Sequence, residues 1–116
     1  MTIENVMIKF SNLSGISGEA LSKWTSICQD SINEISSKLR EDIIESEHEE
    51  ELESAAAALS FYKYVLCTSI QDDLNPENQY ISNPYTKNLA ISLWQEYKNN
   101  ISPLLIDSNF LFKEVI

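Results

Sequence analysis

The stretch SGEALSKWTSICQDSINEISSKL, residues 17–39, decides the fold class. Its apolar residues Leu21, Trp24, Cys28, Ile32, Ile35 and Leu39 recur at steps of 3, 4, 4, 3 and 4. That spacing lines one face of an α-helix and neither face of a strand. Ser17 suits an N-cap, and Glu19 falls in the first turn, where a carboxylate meets the positive end of the helix dipole. One helix over 17–39 is expected.

Upstream, Ile3, Val6, Met7, Phe10 and Leu13 form a second helical stripe from Thr2 to about Leu13. Ser14-Gly15-Ile16-Ser17-Gly18 interrupts it and contains both glycines of the chain. Downstream, Ser46 and Glu49 have capping-box spacing, which predicts a third helix from 46 to about Leu74. Such a helix would be ~43 Å long at 1.5 Å per residue. Its run Ala55 to Ala58 allows close approach by a neighbouring helix, and the bulk of Phe61, Tyr62, Tyr64, Val65 and Leu66 follows at once. Apolar on more than one face, it is expected to be the long central helix. Asn75-Pro76 ends it, because a residue before proline is pushed out of the helical region. A polar loop spans Asp72 to Asn83. Asn83-Pro84 reads as the N-cap and first position of a fourth helix, carrying Leu89, Leu93, Tyr97 and Ile101 and closed by Pro103. Residues 104–116 are apolar and short, and periodicity leaves their helix or strand state open.

Composition agrees with this reading. The chain has 116 residues, enough for one domain, 1–116, and 33 of them are Leu, Ile, Val or Phe, enough for a packed core. With 3 Val, 4 Thr, 2 Gly and 3 Pro, it lacks the β-branched variety and the turns that a sandwich or barrel uses. The expected fold is all-α, a small bundle of about four helices with an apolar C-terminal tail.

The 18 acidic residues against 8 Lys and Arg give a net charge of −10. Nucleic-acid affinity comes largely from Lys and Arg displacing counterions, so DNA binding is disfavoured, as is an anionic membrane surface. No apolar run approaches the ~18 residues of a membrane span. Residues 1–10 carry Glu4 ahead of their one lysine and lack a signal-peptide layout. Cys28 and Cys67 stand far apart without a CxxC, so reduced, buried thiols in a cytosolic setting are expected.

The most conspicuous chemistry is acidic: Glu41, Asp42, Glu45, Glu47, Glu49, Glu50, Glu51 and Glu53 fill eight of the thirteen positions 41–53. It reads first as the solvated start of a helix and second as a cation site or an anionic surface that repels DNA. A calcium loop would need alternating oxygen ligands and a glycine turn. His48, the one histidine, lacks the companions a zinc site requires. Cys67 has no nearby base, and no nucleotide-binding, metalloprotease or nucleophile-elbow motif occurs. Neither catalytic residues nor a metal or other cofactor are expected. Trp24 and Trp94 read as core. The tail residues Phe110, Leu111, Phe112, Val115 and Ile116 either fold back onto the bundle or dock on a partner.

Ala55 through Leu66, after an acidic approach and a helix with Leu21, Trp24 and Cys28, resembles the head–tail connector (adaptor) proteins of tailed phages and prophages of Gram-positive bacteria. The ending Ile101-Ser102-Pro103-Leu104-Leu105 through Phe110-Leu111-Phe112-Lys113-Glu114-Val115 looks like the same group's C-terminus. The resemblance implies a non-catalytic virion protein at the head–tail junction, assembled in the host cytoplasm. It implies a closed ring of about twelve copies between the portal and a tail or stopper protein. DNA passes through such a ring without specific binding, and a multiplied negative charge lets it slide. On this view Glu49, Glu50 and Glu53 face the channel. Ala55, Ala56 and Ala58 pack helices within or between subunits. Residues 104–116 form a docking arm anchored on the portal or a neighbour by Phe110, Leu111, Phe112 and Val115. The alternative is an acidic helical binding module, an inhibitor or DNA mimic occupying a basic partner. A small enzyme or metal-binding domain comes last, for want of ligand sets.

Overall fold

The computed structural model describes residues 1–74 and 84–107, with side chains for 1–68 and 86–107. Those residues form an all-α fold of five helices, with no strand among them. The helices are α1 (Ile3–Ser14), α2 (Glu19–Ser22), α3 (Thr25–Lys38), α4 (Glu49–Leu74) and α5 (Pro84–Ile101). Short 3₁₀ turns occupy Glu45–Glu47 and Ser102–Leu104. α5 starts on a proline, as predicted, since proline lacks the amide that a first-turn residue would leave without an intrahelical acceptor. The stretches 75–83 and 108–116, which hold most of the predicted loop and the tail anchors, lie outside the described residues.

The helix predicted over 17–39 is broken, which raises the count to five. α2 ends at Ser22, and Trp24 sits at the start of α3 with φ −104° and ψ 8°, outside the helical basin. Local hydroxyls compete with the helical ladder here. Ser22 Oγ donates to Glu19 O at 2.7 Å, and Thr25 Oγ1 donates to Ser22 O at 3.0 Å. The break also delivers the Trp24 ring edge-on to Tyr64, 4.7 Å between centroids. Gly18, at φ 65°, takes the N-cap place predicted for Ser17. The third predicted helix begins later as well. Residues 45–47 wind into a 3₁₀ turn, so Ser46 is not its cap and α4 begins at Glu49.

α4 runs for 26 residues, about 39 Å, and packs against α1, α3 and α5. Its alanine run explains how one helix meets three others. Ala55, Ala56 and Ala58 have no exposed surface and Ala57 almost none, so adjacent helices close onto a nearly smooth rod. Larger neighbours fill the remaining volume: Leu52, Leu59 and Val65 of α4, Phe10 of α1, Ile35 of α3, and Trp94 and Ile101 of α5, all buried. Buried hydroxyls are satisfied one turn back, Ser60 Oγ donating to Ala56 O at 2.7 Å and Thr68 Oγ1 to Tyr64 O at 2.8 Å. Tyr64 collects an aromatic knot from three elements, with Phe10 at 5.8 Å and Phe61 at 6.4 Å beside Trp24.

After α5 the chain returns to the end of α3. Leu105 faces Leu39 in an isolated antiparallel bridge, with Arg40 N donating to Leu104 O at 2.9 Å and Ile106 N to Lys38 O at 2.7 Å. Lys38 Nζ meets Asp107 at 3.1 Å. Leu104 and Leu105 are buried, so the first residues of the expected arm 104–116 belong to the core of the chain itself.

Candidate functional site

The acidic run lies where α4 begins, and the fold splits it into two populations. Glu45, Glu49 and Glu53 are spaced by four and turn toward the first residues of the chain. The Met1 ammonium pairs with Glu45 and lies 3.9 Å from Glu49. Glu53 is 4% exposed. Its carboxylate accepts from Thr2 N at 2.8 Å, from Thr2 Oγ1 at 3.4 Å and from Asn5 Nδ2 at 3.3 Å. Thr2 is itself the N-cap of α1, accepting from Asn5 N at 3.3 Å. A buried negative charge therefore sits at the positive end of the α1 dipole, held by α1 donors. Glu53, expected on a channel surface, is instead a clasp inside the fold, because α1 folds over the face of α4 that carries it.

The second population faces water. Glu50 has an 88% exposed side chain and reaches Lys9 at 3.5 Å; His48 Nδ1 lies 3.7 Å from Glu51, and Arg40 pairs with Asp42 at 3.1 Å. Glu41, Asp42 and Glu47 are also exposed. Glu49, half exposed although it turns toward Met1, and Glu50 thus share an anionic surface at the start of α4, while Glu53 leaves it.

Between α1 and α4 run two adjoining recesses of about 340 and 190 Å³ that share Lys9 and Asn12. The larger is lined by Asn5, Ile8, Glu50 and Glu53 as well, and the smaller reaches Ser54, Ala57 and Tyr97. Both are open, and their walls mix amides, charges and aliphatic carbon. Among the described residues no group of three or more His, Cys, Asp or Glu is placed to hold a metal ion. None of the described helices is long and apolar enough to cross a membrane.

Other expected residues fall as follows. Ala55, Ala56 and Ala58 are packed inside the chain. Phe110, Leu111, Phe112 and Val115 lie outside the described residues. Both cysteines are free; Cys28 is buried and Cys67 exposed, which corrects the expectation that both thiols are interior. Burial pushes the Cys28 thiol up, a rise opposed by its hydrogen bond with Ser60 and by the Lys63 charge. Burial likewise raises the Tyr62 phenol.

Two structural pairings escape a reading of the sequence: the Glu53 clasp and the Lys63–Glu34 ion pair, 2.9 Å long and largely buried between α3 and α4. The four-residue spacing of Glu49 and Glu53 puts both on one helix face. Nothing in the sequence says that α1 covers it. Compared with family models, curated proteins and solved structures, the chain has no match.

Proposed function

We propose that this protein is a non-catalytic assembly component, a head–tail connector of a tailed phage or prophage. The observation that carries the reading is the exposed carboxylate surface at the start of α4 on an all-helical domain. It comes together with the residue order, acidic approach, alanine run and aromatics, that resembles connectors. α4 serves as the long central helix of the bundle. Copies close into a ring of about twelve beneath the portal and above the tail or stopper protein. Glu49 and Glu50 face the channel and repel the DNA backbone, which passes without specific contacts. The arm shortens to residues 108–116, with Phe110, Leu111, Phe112 and Val115 anchoring the portal or a neighbouring subunit. No cofactor and no membrane takes part, and the site of action is the virion neck, assembled in the host cytoplasm.

Deleting the gene from a phage or prophage that carries it, followed by electron microscopy of the lysate, tests this reading. Free tails beside heads that have lost their DNA are expected; intact infectious particles in normal numbers overturn it. Removing residues 108–116 is expected to abolish ring assembly on the portal. The same carboxylate surface supports a second reading, an acidic module that occupies a basic partner. A soluble complex with one basic enzyme, formed at defined stoichiometry, distinguishes it.

A further inference from the structure

We propose that α1 is a latch that opens as a unit on the Gly15–Gly18 linker and is locked shut by Glu53. This inference concerns the fold alone and stands apart from the connector reading. Three independent features of the α1 seam carry it.

The first is the seam itself. Of the 12 residues of α1, Val6 and Phe10 are fully buried, and the open recesses flank the rest of its contact with α4. Water already reaches Asn5, Lys9 and Asn12 there, so separating the helices exposes the one stripe of Ile3, Val6, Met7, Phe10 and Leu13 and the surfaces beneath it. Other fully buried side chains, Ile35, Leu59, Trp94 and Ile101, come from α3, α4 and α5, and the latch requires that this part of the core holds while α1 is open.

The second is the linker. Gly15 and Gly18 both hold positive φ, 78° and 65°, and nothing lies within 4 Å of the place a Cβ would occupy on either. The linker's hydrogen bonds are local. Gly15 N donates to Ser11 O, Ser11 Oγ donates to Ile16 O, and Ile16 N donates to Ser14 Oγ. It is thus fastened to the end of α1, and glycine permits the backbone rotations that a swinging helix needs.

The third is the lock. The hydrogen bonds of the Glu53 carboxylate go to Thr2 and Asn5, at the end of α1 farthest from the linker. A buried anion bonded in this way to one element works as a catch. Opening α1 breaks these bonds together and returns the carboxylate to water, where it is well solvated. The rest of α4 keeps its own ladder.

Native-state hydrogen exchange on the full chain tests the latch. The α1 amides are expected to exchange through an opening that is freer, and less sensitive to low urea, than the one that exposes the α4 core amides. Glu53→Gln is expected to speed α1 exchange roughly five- to thirtyfold, the range for weakening hydrogen bonds to a charged group. Ile101→Val, a buried α5 position outside α1 and its linker, is expected to speed the α4 and α5 core amides a few-fold. It leaves α1 unchanged, because it destabilises closed and latch-open states alike. If Ile101→Val accelerates α1 and α4 equally, α1 comes off only with the whole fold and the latch is refuted. Unchanged α1 exchange in Glu53→Gln refutes the lock.

Discussion

Replacing Glu53 is the sharpest test of how the acidic run is used. Were it part of a solvated acidic face, Glu53→Ala would relieve repulsion from Glu49 and Glu50 and leave stability unchanged or slightly higher. The structure demands the opposite. The carboxylate accepts one short bond from Thr2 N and longer ones from Asn5 Nδ2 and Thr2 Oγ1. Hydrogen bonds to a charged group contribute about 1.5–3 kcal/mol for a good one, and the longer contacts add less. Truncation also removes one buried methylene, about 0.8 kcal/mol. Returning the carboxylate's solvation cost offsets part of the sum. The expected loss for Glu53→Ala is about 2–4 kcal/mol, and for Glu53→Gln, which keeps the stem and one acceptor, about 1–2 kcal/mol. Equilibrium urea unfolding at neutral pH measures both, with the m-value checked against the parent. A double-mutant cycle with Asn5→Ala should return a coupling of about 0.5–1.5 kcal/mol. A Glu53→Ala protein within about 0.5 kcal/mol of the parent, or strict additivity with Asn5→Ala, would refute the clasp.

Further expectations follow from the same contacts. Lys63→Ala leaves Glu34 largely buried without this partner and should cost about 1–3 kcal/mol, most of which returns in the Glu34→Ala background, by urea unfolding. An aromatic disulfide reagent should modify Cys67 quickly in the native protein and Cys28 only at the rate of unfolding; equal rates would contradict the burial of Cys28. Because burial raises the folded Cys28 pKa, the unfolded chain loses its thiol proton first. Its contribution to stability is full below the ordinary thiol value of 9.0 and is lost as pH rises from there through the folded value. Cys28→Ala should flatten that alkaline decline. Gly15→Ala, with space for the methyl but a left-handed backbone, should cost about 1–2 kcal/mol by thermal or urea unfolding.

The fold class was legible in the residues because apolar spacing is a local property. The stripe from Leu21 to Leu39 and the proline at the head of α5 state a helix without reference to any neighbour. The sequence alone also determined that the chain is strongly anionic and that Ala55 to Ala58 form a narrow helical surface. What it left open depends on distance in space. Ser22 and Thr25 divide the expected second helix through their own hydroxyl bonds, while the Trp24 ring finds Tyr64, forty residues away in sequence. Ser46 loses its capping role because the chain between α3 and α4 must turn within ten residues and winds into a 3₁₀ turn first. Above all, eight acidic side chains look alike in a sequence. Only the docking of α1 across α4 makes Glu53 a buried clasp while Glu50, three residues before it, stays in water. Charge and periodicity are written residue by residue; desolvation is set by whatever the rest of the chain places on top.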